Sequence, residues 1–128
     1  MRQIFIILVL GAMLFAAGCA TKHNMTSRGY KSISQDEAKA MMTDGNIIVD
    51  VRRPDEYAEG HIPGAICIPN ETIDKTPPSE LPDKDAVILV YCRSGRRSKE
   101  ASKKLADIGY TNIYEFGGIN TWTGDIVK

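Results

Sequence analysis

A chain of 128 residues is sized for one domain, and it can build a single core without metal or disulfide staples. Its 16 basic and 16 acidic side chains balance. That argues against a nucleic-acid-binding surface and makes any cluster of one sign a local device.

Residues 1–18 read as an export signal. Arg2 supplies a short positive region, Ile4 to Ala17 form an apolar run broken only by Gly11, and small residues lead to Cys19. The run is shorter than the roughly 20 residues needed to span a bilayer. The segment Ala16-Ala17-Gly18-Cys19 resembles the bacterial lipobox, with Ala16 where that pattern favours Leu. The resemblance implies lipidation of Cys19, a membrane anchored through that lipid, and an exported protein at the cell envelope. Residues 19–31 are polar, lack apolar periodicity and read as a tether, so the folded domain is expected over 32–128.

Ser34-Gln35-Asp36-Glu37 is a capping box, and Ala38, Met41 and Met42 supply the inner face of a short helix that stops before Gly45. Ile47 to Val51 is a near-continuous apolar run, as in a strand buried on both faces. Pro54 opens a second short helix that Gly60 ends; a turn at His61 and a short strand Ala65 to Ile68 follow. Pro69 to Asp85 reads as a surface excursion, with Ile73 and Leu81 its main apolar residues and room for one helical turn. Ala86 to Tyr91 is the strongest strand signal. Ser98 is placed to cap a helix over Lys99 to Ile108 that turns Ala101, Leu105 and Ile108 inward, with Gly109 at its end. Asn112 to Phe116 forms a last strand, and a short helix starts at Gly117. Strands alternating with helices across short connections predict an α/β fold: a mainly parallel sheet of about five strands flanked by short helices.

The chemistry concentrates at one corner. Cys92 ends the strongest strand, and Arg93, Ser94, Gly95, Arg96, Arg97 and Ser98 lead into the following helix. In parallel sheets, sites form outside the carboxyl ends of strands. A cysteine attacks as its thiolate. Three arginines, the unpartnered first-turn amides and a tight loop around Gly95 all favour an anion there. The same groups suit an anionic substrate. Of the three cysteines, Cys19 belongs to the export signal. Cys67 lies in a short apolar strand as a small packing residue, and Cys67 and Cys92 read as free thiols.

The segment Cys92 to Ser98 resembles the active-site loop of single-domain rhodaneses. Asp50-Val51-Arg52, Glu56-Tyr57, Gly60 to Ala65 and Ile68-Pro69 match that family's amino-terminal signature in order and spacing, and Gly117-Gly118-Ile119 with Trp122 matches its carboxy-terminal one. The resemblance runs from about Ile33 to the end of the sequence. It implies a rhodanese-like fold and a thiosulfate sulfurtransferase that carries sulfur as a Cys92 persulfide, from a thiosulfate-like anion to a thiol acceptor, which can be a protein, or to cyanide. It implies no cofactor and no metal. Backbone amides of residues 93–98 would cradle the persulfide, with Arg93 and Arg97 the leading substrate contacts and Arg96 turned to solvent. Asp50 and Arg52 read as a structural pair, and His61 as a turn residue bonded to backbone. Phe116 and Trp122 read as supporting aromatics.

Two other readings compete. A cysteine phosphatase or arsenate reductase would place arginine six positions after the cysteine; here that position is Ser98, and arginine falls at the fifth. A loop shorter by one residue suits a sulfur atom better than a tetrahedral phosphate. A sulfur-carrier or partner-binding rhodanese module at the envelope is the other; modules that only bind typically lack the cysteine, which is present here.

Overall fold

β-branched and aliphatic residues that cannot face water on either side build the centre of this molecule. In the computed structural model, which describes residues 29–128, strand β4 (Val87–Cys92) is buried from Ile88 to Cys92. It pairs in parallel with β2 (Ile47–Asp50) on one side and β5 (Asn112–Gly118) on the other. The short strands β3 (Ile66–Cys67) and β1 (Lys31–Ser32) close the edges, giving the order β1-β5-β4-β2-β3, all parallel. The expected α/β sheet of five strands is what forms.

Alternation along the strands divides the core into two layers. Val49, Val51, Ile88, Val90, Cys92 and Ile113 face helix α3 (Arg96–Asp107), which contributes Ala101 and Leu105. Ile48, Leu89, Tyr91 and Phe116 face the other way, toward Ala38, Met41 and Met42 of α1 (Gln35–Met42) and Tyr57 of α2 (Pro54–Glu59). Each fully buried aliphatic side chain of this kind contributes roughly 1.5–3 kcal/mol. The capping box at Ser34 forms as read: Ser34 Oγ accepts from Glu37 N at 3.0 Å, and Glu37 Oε1 accepts from Ser34 N at 3.0 Å.

The excursion after β3 is better anchored than its composition suggests. It holds the one turn expected, a 3₁₀ turn at Asn70–Thr72, and buries Ile73 and Leu81. Asn70 is tied to α3 through Glu100 (2.9 Å) and Lys104 (2.9 Å).

Three boundaries differ from the sequence reading. Tyr30 is 2% exposed and joins the α3-side core, and Lys31 pairs with Tyr114, so ordered packing begins inside the segment read as tether. Helix α3 starts at Arg96, three residues before Lys99, with Gly95 at its cap in the left-handed region (φ +113°). Glycine alone adopts that conformation without strain, and this moves the helix start toward the cysteine. Strand β5 runs on to Gly118. Val90 pairs with Glu115 and Cys92 with Gly118, so β5 carries one extra residue, a β-bulge eased by Gly117 at φ +92°. The export signal and Cys19 lie outside the described residues.

Candidate active site

The carboxyl ends of β2, β4 and β5 bring Asp50, Cys92 and Gly118 to one edge of the sheet. Cys92 is the last residue of its strand and 1% exposed. Only Arg93, Ser94 and Gly95 separate it from α3, a shorter connection than a helix capped at Ser98 would leave. The correction follows from Gly95: its left-handed backbone turns the chain at once, and its N–H points back and donates to Cys92 Sγ at 3.0 Å. The first backbone bond of the helix runs from Lys99 N to Gly95 O (3.2 Å). The amides of Arg96, Arg97 and Ser98 therefore have no partner within the helix and face the sulfur's end of it.

The loop is clamped from below by glycine. A Cβ on Gly118 would fall inside the Arg93 carbonyl group and 2.6 Å from Ser94 Cα, so the bulged end of β5 can approach only because that side chain is missing. Asn120 N donates to Arg93 O (3.2 Å), and Gln35 Nε2 donates to Gly118 O (2.9 Å). The carboxy-terminal glycine pair thus has a steric task at the nucleophile.

Ser98 is not the helix cap that its sequence position suggested. It is the third residue of α3 and fully buried. Its hydroxyl lies 3.5 Å from Cys92 Sγ, 2.9 Å from Gly95 O and 2.6 Å from Glu115 Oε2. Glu115 escaped the sequence reading. The available signal was a charged residue two positions after Ile113, on the α3-facing side of a buried strand.

A cavity of about 540 Å³ opens over the loop, lined by Arg53, Arg93, Arg96 and Arg97 together with Glu56 and Glu71. The arginines are not equivalent. Arg97 forms a two-pronged pair with Glu56 (2.7 and 3.1 Å), Arg53 pairs with Asp55 (3.1 Å), and Arg96, well exposed, pairs with Glu100 (3.1 Å). Arg93 is the mouth's one arginine without a carboxylate partner among the described residues. The hydrogen bonds from Arg97, against the opposing effect of burial, hold the Glu56 carboxyl at about 2, well below its usual 4.5. Glu56, read only as part of a signature, thereby fixes Arg97.

Asp50 and Arg52 form the structural pair expected, 2.7 Å apart and buried. Arg52 also donates to Gly60 O (2.7 Å), and the Tyr91 hydroxyl donates to Asp50 Oδ2 (2.7 Å). Burial, reinforced by this bond to Asp50, pushes the Tyr91 phenol far above its ordinary range. The network pins Tyr91, and with it the neighbouring Cys92. His61 Nδ1 meets Tyr57 O at 2.9 Å, and its ring stacks on Tyr57. Its backbone bridges to Val127, so it serves the turn. Phe116 and Trp122 pack against each other on the α1 side. Cys67 is a free thiol, like Cys92; burial, with the charge of Asp50 adding, pushes it above its ordinary range, away from nucleophilic use.

Residues 34–125 match the rhodanese-like domain family. The chain is 38% identical over 71 residues to the thiosulfate sulfurtransferase PspE of Escherichia coli (strain K12), covering 56% of this chain and 68% of that protein. It is 36% identical over 94 residues to the thiosulfate sulfurtransferase GlpE of Pseudomonas entomophila (strain L48), covering 73% and 84% respectively. A solved rhodanese with anions from E. coli superposes with a TM-score of 0.60 at 35% identity, covering 65% of this chain and 98% of that one. With its loop, its clamping glycines and its sheet in the arrangement described above, the chain belongs to the rhodanese-like domain family.

Proposed function

We propose that this protein is a thiosulfate sulfurtransferase in which Cys92 is the nucleophile. The observation that carries the reading is the placement of Cys92 Sγ at the end of β4, with Gly95 N–H on it at 3.0 Å and the open first turn of α3 beside it. The Cys92 thiolate attacks the outer sulfur of a thiosulfate-like dianion, a new S–S bond forms, the donor's S–S bond breaks, and sulfite leaves with the electron pair. The persulfide anion left on Cys92 sits where the amides of residues 95–98 can donate to it. An acceptor thiolate, or cyanide, then takes the outer sulfur and returns Cys92 as thiolate.

Within the mouth, Arg93 is the contact for the donor's sulfonate, because its charge is not already held by a carboxylate. Arg97 keeps its place as a substrate contact only through a guanidinium that Glu56 already occupies on two sides, so its share is to set the positive wall. That engagement also disfavours phosphate chemistry, where the loop arginine must grip the transferred group. Gly95 and Ser98 act through backbone amides, Ser94 lines the mouth, and Arg96 faces solvent beside Glu100.

Purified protein is expected to form thiocyanate from thiosulfate and cyanide, and Cys92→Ser is expected to abolish it without lowering the Tm. Equal activity in the two proteins would end the assignment. Intact mass after thiosulfate exposure should show one added sulfur, on Cys92.

We further propose that residues 1–18 direct export and that Cys19 is acylated, so that a tether beginning there holds the domain at the membrane of the cell envelope. The lipobox-like sequence supports this. Mass analysis of the mature protein should show an N-terminal acylated Cys19; a chain starting at Met1 would refute it.

A further inference from the structure

Six charged side chains line the mouth over the loop, and four of them are already engaged. Arg97 and Glu56 hold each other, Arg53 is held by Asp55, and Arg96 by Glu100. Arg93 and Glu71 are the other two, and among the described residues neither charged group has an ion-pair or hydrogen-bond partner. The anionic donor accounts for Arg93. It does not account for Glu71, because a fixed negative charge at the mouth opposes the entry of a dianion.

Glu71 is carried on a rigid support. It is the middle residue of the 3₁₀ turn Asn70–Thr72. Asn70 N donates to Val51 O at the end of β2 (2.9 Å), and Ile73 N donates to Asn70 O (3.1 Å). The Asn70 side chain donates to Glu100 (2.9 Å) and accepts from Lys104 (3.1 Å), both on α3. The turn is thus tied to the sheet and to the helix that borders the mouth, while the Glu71 side chain itself is exposed. An exposed carboxylate on a fixed turn is ready to pair with a cation that enters from solvent.

We propose that Glu71 is a specificity-determining residue for the sulfur acceptor: it binds the ammonium of a small thiol whose carboxylate binds Arg93, so the mouth takes a cysteine-type zwitterion. The proposal rests on the sulfurtransferase reading with its Cys92 persulfide, and it concerns only the second half of that reaction. Once sulfite has left, Arg93 is vacant, and with Glu71 it presents one unpaired charge of each sign. The acceptor thiolate forms a bond to the outer sulfur, the bond from that sulfur to Cys92 Sγ breaks, and its electron pair returns to Cys92. A thiol with only a carboxylate leaves Glu71 unmatched, and a neutral thiol leaves both groups unmatched.

The test loads the protein with sulfur from thiosulfate, removes the excess donor, and follows loss of the added sulfur from Cys92 by intact mass. Three acceptors are compared: cysteine, β-mercaptopropionate, which is cysteine without its ammonium, and β-mercaptoethanol, which as a free thiol matches cysteine in net charge but lacks both charged groups. For each, the discharge rate of Glu71→Gln is divided by that of wild type, which cancels the thiol's own reactivity. The ratio for cysteine is expected to fall about three- to fivefold, the size of one exposed ion pair at the upper end of its range. That for β-mercaptoethanol should stay at one, and that for β-mercaptopropionate should stay there or rise. Glu71→Asp, which keeps the charge on a shorter arm, should recover part of the loss with cysteine. A diffuse effect of charge at the mouth does not separate cysteine from β-mercaptoethanol, so equal ratios for those two overturn the proposal. A fall shared by all three acceptors also overturns it, since that reports damage to the turn. If wild type takes up no sulfur, the sulfurtransferase assignment fails and this proposal with it; uptake followed by equal ratios removes this proposal alone.

Discussion

Replacing Glu56 by Gln breaks the pair that fixes Arg97 at the mouth, and its effect can be worked from the charge. The carboxyl titrates at about 2 in the folded protein against 4.5 ordinarily, chiefly through its hydrogen bonds from Arg97. A folded value below the unfolded one stabilises the protein wherever the carboxylate is ionised in both states, above about pH 4.5, and the gain is lost as pH falls toward 2. At about 1.4 kcal/mol per unit, the folded surroundings of the Glu56 carboxylate, its Arg97 bonds foremost, are worth about 3 kcal/mol at pH 7 and about 2 kcal/mol at pH 3.5. Both side chains are largely buried, at 9% and 19% exposure, so solvent screening takes little from this. Urea unfolding of wild type and Glu56→Gln at the two pH values measures it. The expected result is a loss near 3 kcal/mol at neutral pH that narrows in acid. A stability difference of the same size at both pH values would refute the electrostatic account, and a difference near zero would show that Arg97 does not need Glu56.

Other outcomes are expected from the same site. Gly118→Ala must push the Arg93–Ser94 backbone away from β5, because the new Cβ meets main chain, and sulfur transfer should fall at least tenfold; wild-type kcat/KM would show that the loop needs no such clamp. Arg93→Ala should raise the thiosulfate KM several-fold, Arg96→Ala very little, and Arg97→Ala more than Arg96→Ala; equal KM values for all three would remove the ranking drawn from their ion pairs.

How much of this was legible beforehand depends on the range of the interaction. The capping box at Ser34, the stop at Gly45 and the apolar runs of β2 and β4 are local patterns, and they reappear with shifts of a residue or so. The start of α3 was misplaced because Ser98 is a good cap by composition. Its hydroxyl instead found partners on β5, seventeen residues away. Tyr30 looked like tether because the core cluster it joins is built from later parts of the chain.

The sequence alone determined the class of fold, the thiol at a strand end and its arginines, because strand periodicity, loop spacing and family motifs are written in consecutive residues. Tertiary structure decided what those residues do. Arg93 and Arg97 read as equal substrate contacts until Glu56 claimed Arg97 across a folded distance. Glu115 read as an ordinary strand residue until the bulge and α3 enclosed it beneath Ser98. Charge and proximity act through space, and a carboxylate's partners are set by which strand ends the sheet brings together.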